Sequence, residues 1–160
     1  MAEMFDIAEL VKIAVEDERT GVSFYSALAE RTGNPELKKV WEELAEQERH
    51  HQQRFEEMLK SLGEPKVPEG YGGEYANYLR ALTTDRAFPD EAAAVRMAQE
   101  CEGDAAAVAL ALRFERDTLI LMQEMRALVP EKDRSVVDEL ADEERAHIVT
   151  LTEARSKLGG

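Results

Sequence analysis

Apolar positions along this chain recur in alternating steps of four and three. Leu37, Trp41, Leu44, Glu48, His51, Phe55, Met58 and Leu62 form one such series, the stripe that a helix turns toward its neighbours. Three more stretches carry the same spacing: Ile7, Val11, Ala14, Glu18, Gly21, Tyr25, Leu28; then Val108, Ala111, Glu115, Thr118, Met122, Met125, Val129; then Val137, Leu140, Glu144, His147, Leu151, Ala154, Leu158. Four long amphipathic helices are predicted. The first runs from about Phe5 to Thr32 and stops at Gly33. Asn34 caps the second, with Pro35 at its first position and Gly63 just past its end. Asp104 caps the third, which ends near Val129, and Pro130 starts the fourth, which runs to about Leu158.

The short connection at Gly33 makes the first two helices antiparallel neighbours. Between about 64 and 104 the pattern loosens around Pro65, Pro68, Gly70, Gly72 and Gly73, although EYANYLRAL and PDEAAAVRMAQE each suit a short helix. Two helical hairpins joined by one long crossover is the ferritin-like form of the four-helix bundle, so the expected fold is all-α, a single domain over residues 1–160. An internal repeat agrees with it. ELAEQERHH at 43–51 lies over ELADEERAH at 139–147, an offset of 96, with six of nine positions identical.

All four stripes are broken at one level, by Glu18, Glu48 with His51, Glu115, and Glu144 with His147. Glu48 follows Glu18 by 30 residues and Glu144 follows Glu115 by 29. An unpaired buried carboxylate costs several kcal/mol, and four facing one another would be far worse. Two divalent cations would balance four carboxylates, and two neutral imidazoles would add nitrogen ligands. One Glu from each of two helices, with Glu-x-x-His from each of the other two, matches the ligand pattern of di-iron and di-manganese bundles. Residues three apart share a helix face, so each Glu and His can reach one metal pair. Glu48 and Glu144 would bridge the ions, His51 and His147 would be terminal, and Glu18 and Glu115 would close the two ends. Carboxylate and imidazole together suit iron or manganese, or a mixed pair, better than the thiolate sites of structural zinc. The plainer alternative is a bundle with solvated charges. Against it stand both Glu-x-x-His pairs lying in an apolar seam, inside a repeat.

Other residues carry weaker signals. Tyr25 lies two turns after Glu18 and is a candidate catalytic residue, as a hydrogen-bond donor or electron relay, or else a core tyrosine. Gly21 and Thr118, three after the terminal Glu residues, would leave room for dioxygen or peroxide, although close packing would explain Gly21 equally. His50 points about 100° away from the seam, toward solvent. Glu16, Glu46, Glu100, Glu102 and Glu143 read as solvated faces. Tyr71, Tyr75 and Tyr78 could cover a dimer surface.

Composition narrows the function classes. With 34 acidic against 20 basic residues the net charge is -14, which repels phosphate backbones and anionic lipid and draws in cations, so neither nucleic acid nor membrane is an expected partner. No apolar run reaches the roughly 20 residues of a membrane span. The acidic start MAEMFDIAEL lacks the basic and apolar regions of a signal peptide, and a cytoplasmic location is expected. Cys101 is the single cysteine, which excludes an internal disulfide and a cysteine metal cage.

The strings EDERTGVSFY, NPELKKVWEELAEQERHH, FERDTLILMQEM and DELADEERAHI resemble the erythrin domain of the rubrerythrin family, within the ferritin-like superfamily. The resemblance implies that Glu18, Glu48, His51, Glu115, Glu144 and His147 hold two iron ions, and that the chain reduces hydrogen peroxide or oxidises ferrous ion. Two departures accompany it. Rubrerythrin proper carries a cysteine-ligated rubredoxin module, so a chain with one cysteine implies an external electron donor, such as a rubredoxin-like protein or a reductase. Some members carry an extra Glu three residues after the third-helix ligand. Here that position is Thr118, which favours ferroxidase chemistry or a slower peroxide sink. An iron-sequestering protein without sustained turnover is the alternative, and an oxygenase acting on an organic substrate is a third. The long crossover also permits a homodimer that exchanges hairpins while keeping all six ligands.

Overall fold

A computed structural model of the chain describes residues 7–62 and 73–159. Its elements in chain order are α1 (Ile7–Arg31), α2 (Pro35–Leu62), α3 (Gly73–Thr84), α4 (Glu91–Glu100), α5 (Asp104–Leu128) and α6 (Glu131–Gly159). No strand occurs among the described residues. The expected hairpins are α1 with α2 and α5 with α6, and α1 also packs on α4 and α5 while α2 packs on α6. Phe5, Gly63, Pro65, Pro68, Gly70, Tyr71 and Gly72, named above, lie outside the described residues.

Local chemistry sets the helix ends. The Asn34 side chain accepts from the backbone N–H of Glu36 at 3.0 Å and of Leu37 at 3.2 Å, which satisfies two donors that the first turn of α2 leaves free. The start of α5 differs from expectation. Asp104 is its first helical residue rather than its cap; Gly103 takes the cap position at φ 113, a backbone conformation that favours glycine. The Asp104 carboxylate is instead turned to Thr32, whose hydroxyl donates to it at 2.9 Å. A tie between the end of α1 and the start of α5 has displaced a local cap.

The crossover is held to the bundle at several points. Asp90 caps α4 by accepting from Ala93 N–H at 2.7 Å. Asp117 of α5 accepts from Ala87 N–H at 2.8 Å, Arg86 pairs with Asp17 of α1, and the Phe88 ring lies 4.6 Å from that of Phe24. Tyr75 and Tyr78 both donate to Glu124 of α5, at 2.8 and 3.0 Å. Their hydroxyls therefore tie α3 to α5, and Tyr78 remains 42% exposed.

The four seams bury as the spacing predicts, with Ile7, Leu62 and Leu158 half-buried at the ends. The apolar core is in two parts. One gathers Phe24, Tyr25, Leu28, Trp41, Leu44, Leu112 and Leu151; the other gathers Val11, Phe55, Met58, Met122, Met125 and Leu140. Between them lies a layer of buried polar groups.

Candidate metal centre

The polar layer consists of Glu18 on α1, Glu48 and His51 on α2, Glu115 on α5, and Glu144 and His147 on α6. The first five are 0% exposed and His147 is 2% exposed. The structure thus brings together all six residues that the register singles out. They fall into two groups of possible ligands, Glu18, Glu48, His51, Glu144 and Glu48, Glu115, Glu144, His147, and within each group one donor atom per residue lies within 4.8 Å of the others. Glu48 and Glu144 belong to both groups. Glu18 with His51, and Glu115 with His147, stand at opposite ends.

Both imidazoles turn Nδ1 inward. His51 Nδ1 lies 2.8 Å from Glu144 Oε1 and 3.6 Å from Glu18 Oε2. His147 Nδ1 lies 3.1 Å from Glu144 Oε2, 3.2 Å from Glu48 Oε1 and 3.4 Å from Glu115 Oε2. The two rings are nearly parallel, with centroids 5.4 Å apart. Each outer nitrogen meets a residue outside the six: His51 Nε2 is 2.7 Å from Glu143 Oε2, and His147 Nε2 is 2.6 Å from Gln47 Oε1. Because both partners are acceptors, each Nε2 carries a proton and donates, which leaves Nδ1 to face the carboxylates: it shares a proton with them in the metal-free chain and offers its lone pair to a cation once that proton leaves.

The protein alone does not satisfy this cluster. All carboxylate oxygens of Glu18, Glu48 and Glu144, together with His51 Nδ1, are buried and find no hydrogen-bond partner outside the layer itself. Buried groups of this kind are nearly always paired, so the orphaned atoms point to a missing positive partner. Without one, protons take its place. Burial and the neighbouring Glu48 charge hold the Glu18 carboxyl well above its usual range. Burial, then Glu144, push Glu115 up to about 8. Burial would lower His51, but the hydrogen bond and charge of Glu144 outweigh it and raise the ring to about 9. His147 moves the same way, against its burial, through Glu115, Glu144 and Glu48. Glu144 moves down: hydrogen bonds from Glu115 and both imidazoles outweigh burial and the Glu48 charge. Divalent ions fit the donor set, with four carboxylates and two imidazole nitrogens of mixed hardness in a dry layer.

Tyr25 is fully buried and donates its hydroxyl to Glu115 Oε1, and its ring stacks on Trp41 at 5.7 Å. It touches one candidate ligand and belongs to the apolar core on that side. Met122 is core, and His50 is exposed. The space expected at Gly21 is absent. A Cβ there would meet the Phe114 ring at 3.0 Å and Glu48 Cγ at 3.1 Å, so close packing explains the glycine. Thr118 does border a void, a cavity of about 10 Å³ also lined by Thr20 and Phe114. Glu16, Glu46, Glu100 and Glu102 are exposed. Glu143 is not merely a solvated face: its side chain is 46% exposed, yet its carboxylate reaches His51. Gln47 escaped the register reading altogether. The repeat held the signal, since an offset of 96 places Gln47 over Glu143.

No helix among the described residues is long and apolar enough to cross a membrane. A comparison with curated protein sequences gives no match. Among solved structures, the chain is similar to a protein from Thermotoga maritima described as a candidate ferritin-like diiron-carboxylate protein, at 24% identity and a TM-score of 0.70 over 98% of each chain. It is also similar to a hypothetical protein from Pyrococcus furiosus, at 20% identity and a TM-score of 0.70 over 95% of this chain and 89% of the other. These likenesses carry the fold. The family model described as Rubrerythrin matches residues 9–155, nearly the whole length, and the chain belongs to the rubrerythrin family.

Proposed function

We propose that the chain is a di-iron oxidoreductase that reduces hydrogen peroxide or dioxygen with electrons from an external donor. The observation that supports it most is the pair of buried ligand groups sharing Glu48 and Glu144. A single ion would need one such group; two groups with two shared carboxylates suit a coupled pair. Two ferrous ions supply two electrons together, which matches the two-electron, two-proton conversion of peroxide to two waters.

The chain's own residues would provide the setting. Glu18 with His51 and Glu115 with His147 would each hold one ion from outside, while Glu48 and Glu144 span both. Full burial of the layer keeps bulk water from the reacting groups. Tyr25, its hydroxyl directed at Glu115 and its proton held by burial, keeps a donor at that end of the site. The void beside Thr118, close to the size of one water, is lined by Asp17, Thr20, Arg86 and Phe114 and by none of the six candidate ligands.

Protein purified without added metal is assayed for bound iron and manganese, then loaded with ferrous ion under argon and titrated with peroxide and with dioxygen. Two irons per chain, with sustained peroxide consumption when a reducing system is present, is the expected result. Failure to take up two metal ions would overturn the proposal. Mineral growth beyond two irons per chain without sustained turnover would place the protein with iron storage instead.

A further inference from the structure

Gln47 and Glu143 occupy matching places in the two hairpins. Each directly precedes the shared carboxylate of its own helix, Glu48 or Glu144, and each reaches across to the outer nitrogen of the other helix's imidazole. The hydrogen bonds are nearly equal in length, 2.7 Å for Glu143 with His51 and 2.6 Å for Gln47 with His147. The acceptors are not equal in charge. One is a carboxylate, the other a neutral amide.

An imidazole whose N–H is held by a carboxylate is a stronger donor at its other nitrogen than one held by an amide, because charge is drawn through the ring toward the lone pair. We propose that Glu143 and Gln47 are positioning residues that make the two metal positions unequal, so that the ion beside Glu18 and His51 is bound more tightly than the ion beside Glu115 and His147. On the inner side the two imidazoles are matched in number and charge of neighbours, since each Nδ1 faces three buried carboxylates, Glu18, Glu48 and Glu144 for His51 and Glu48, Glu115 and Glu144 for His147, so the outer acceptors carry the difference. An unequal pair has a chemical use: one ion can be loaded and kept while the other exchanges. The inference rests on the reading of this layer as a metal centre.

The test is anaerobic titration calorimetry of the full chain with Co(II), a probe that stays divalent, on the native protein and three variants. Glu143→Gln is expected to weaken the tighter step by about 10-fold or more and to leave the weaker step in place. Gln47→Glu is expected to tighten the weaker step, a gain that a misfolded variant cannot produce. Gln53→Glu adds the same charge on an exposed position of α2 and is expected to move neither step. If Glu143→Gln leaves the tighter step unmoved, or Gln53→Glu matches the gain of Gln47→Glu, the inference is overturned while the metal centre stands. If the native chain, with its helical circular dichroism intact, binds no Co(II), the metal centre falls and the inference with it.

Discussion

At Gly21 the backbone of α1 comes so near α5 and α2 that a methyl group would meet Phe114 at 3.0 Å and the stem of Glu48 at 3.1 Å. In a free helix, Gly→Ala gains about 1 kcal/mol. Here the gain is opposed by a contact tighter than ordinary packing, and one of the two neighbours that must give way is a shared carboxylate. Gly21→Ala is therefore expected to leave the midpoint of thermal unfolding of the metal-free protein nearly unchanged and to weaken Co(II) binding. Higher stability with unaltered metal affinity would mean that the Phe114 ring alone yields. Tyr25 tests a different contact. Tyr25→Phe keeps the ring stacked on Trp41 and removes the hydroxyl that donates to Glu115. The loss should be about 1.5 to 3 kcal/mol in urea unfolding, the range for a hydrogen bond to a charged group. Peroxide turnover should fall further than metal affinity if the hydroxyl serves the chemistry, whereas a parallel fall in both would leave Tyr25 as a core residue.

The helices separate what stabilises the bundle from what equips it. Asn34 caps α2 through two backbone N–H groups, and Glu48 lies about 20 Å further along that helix by its rise per residue. Asn34→Ala should cost about 1 kcal/mol and lower the unfolding midpoint with no change in metal affinity. Altered affinity would mean that the α1–α2 turn is coupled to the ligand layer. The same cap shows why most helix ends were legible: Asn34 and Pro35 act within one turn of the chain they belong to. The start of α5 was not, because Thr32 draws Asp104 away from the cap position, and Thr32 is 72 residues distant in sequence. The crossover was legible as two short helices but not in its attachments. Tyr75 and Tyr78 on Glu124, and Arg86 on Asp17, are meetings of side chains on elements whose relative placement no spacing rule supplies.

Across the whole molecule, the six buried polar residues were legible because one rule, the alternation of steps along a seam, applies to all four long helices and places the exceptions at one height. Gln47 and Glu143 failed that rule, since each stands one residue off the seam and reaches inward by the length of its side chain. The layer they serve sets how the fold responds to pH. Glu115 moves from 4.5 to about 8, so the folded chain keeps a proton that the unfolded chain has lost; its contribution is complete below 4.5 and fades as the pH rises through 8. His51 moves from 6.5 to about 9, so its contribution is complete below 6.5 and fades as the pH rises through 9. Asp17, raised to about 7 by burial despite Arg86, fades in the same direction. Glu144 is lowered, and its contribution is lost only on the acid side. The metal-free protein should therefore lose stability between pH 6.5 and 9. Divalent metal reverses the balance, because binding displaces those protons and strengthens as they become easier to remove. Thermal unfolding followed across that window should show the midpoint falling without metal, and the gap between metal-loaded and metal-free protein widening with each step upward in pH. A metal-free midpoint that holds level or climbs there would mean that the buried carboxylates and imidazoles do not share protons in the way their packing requires.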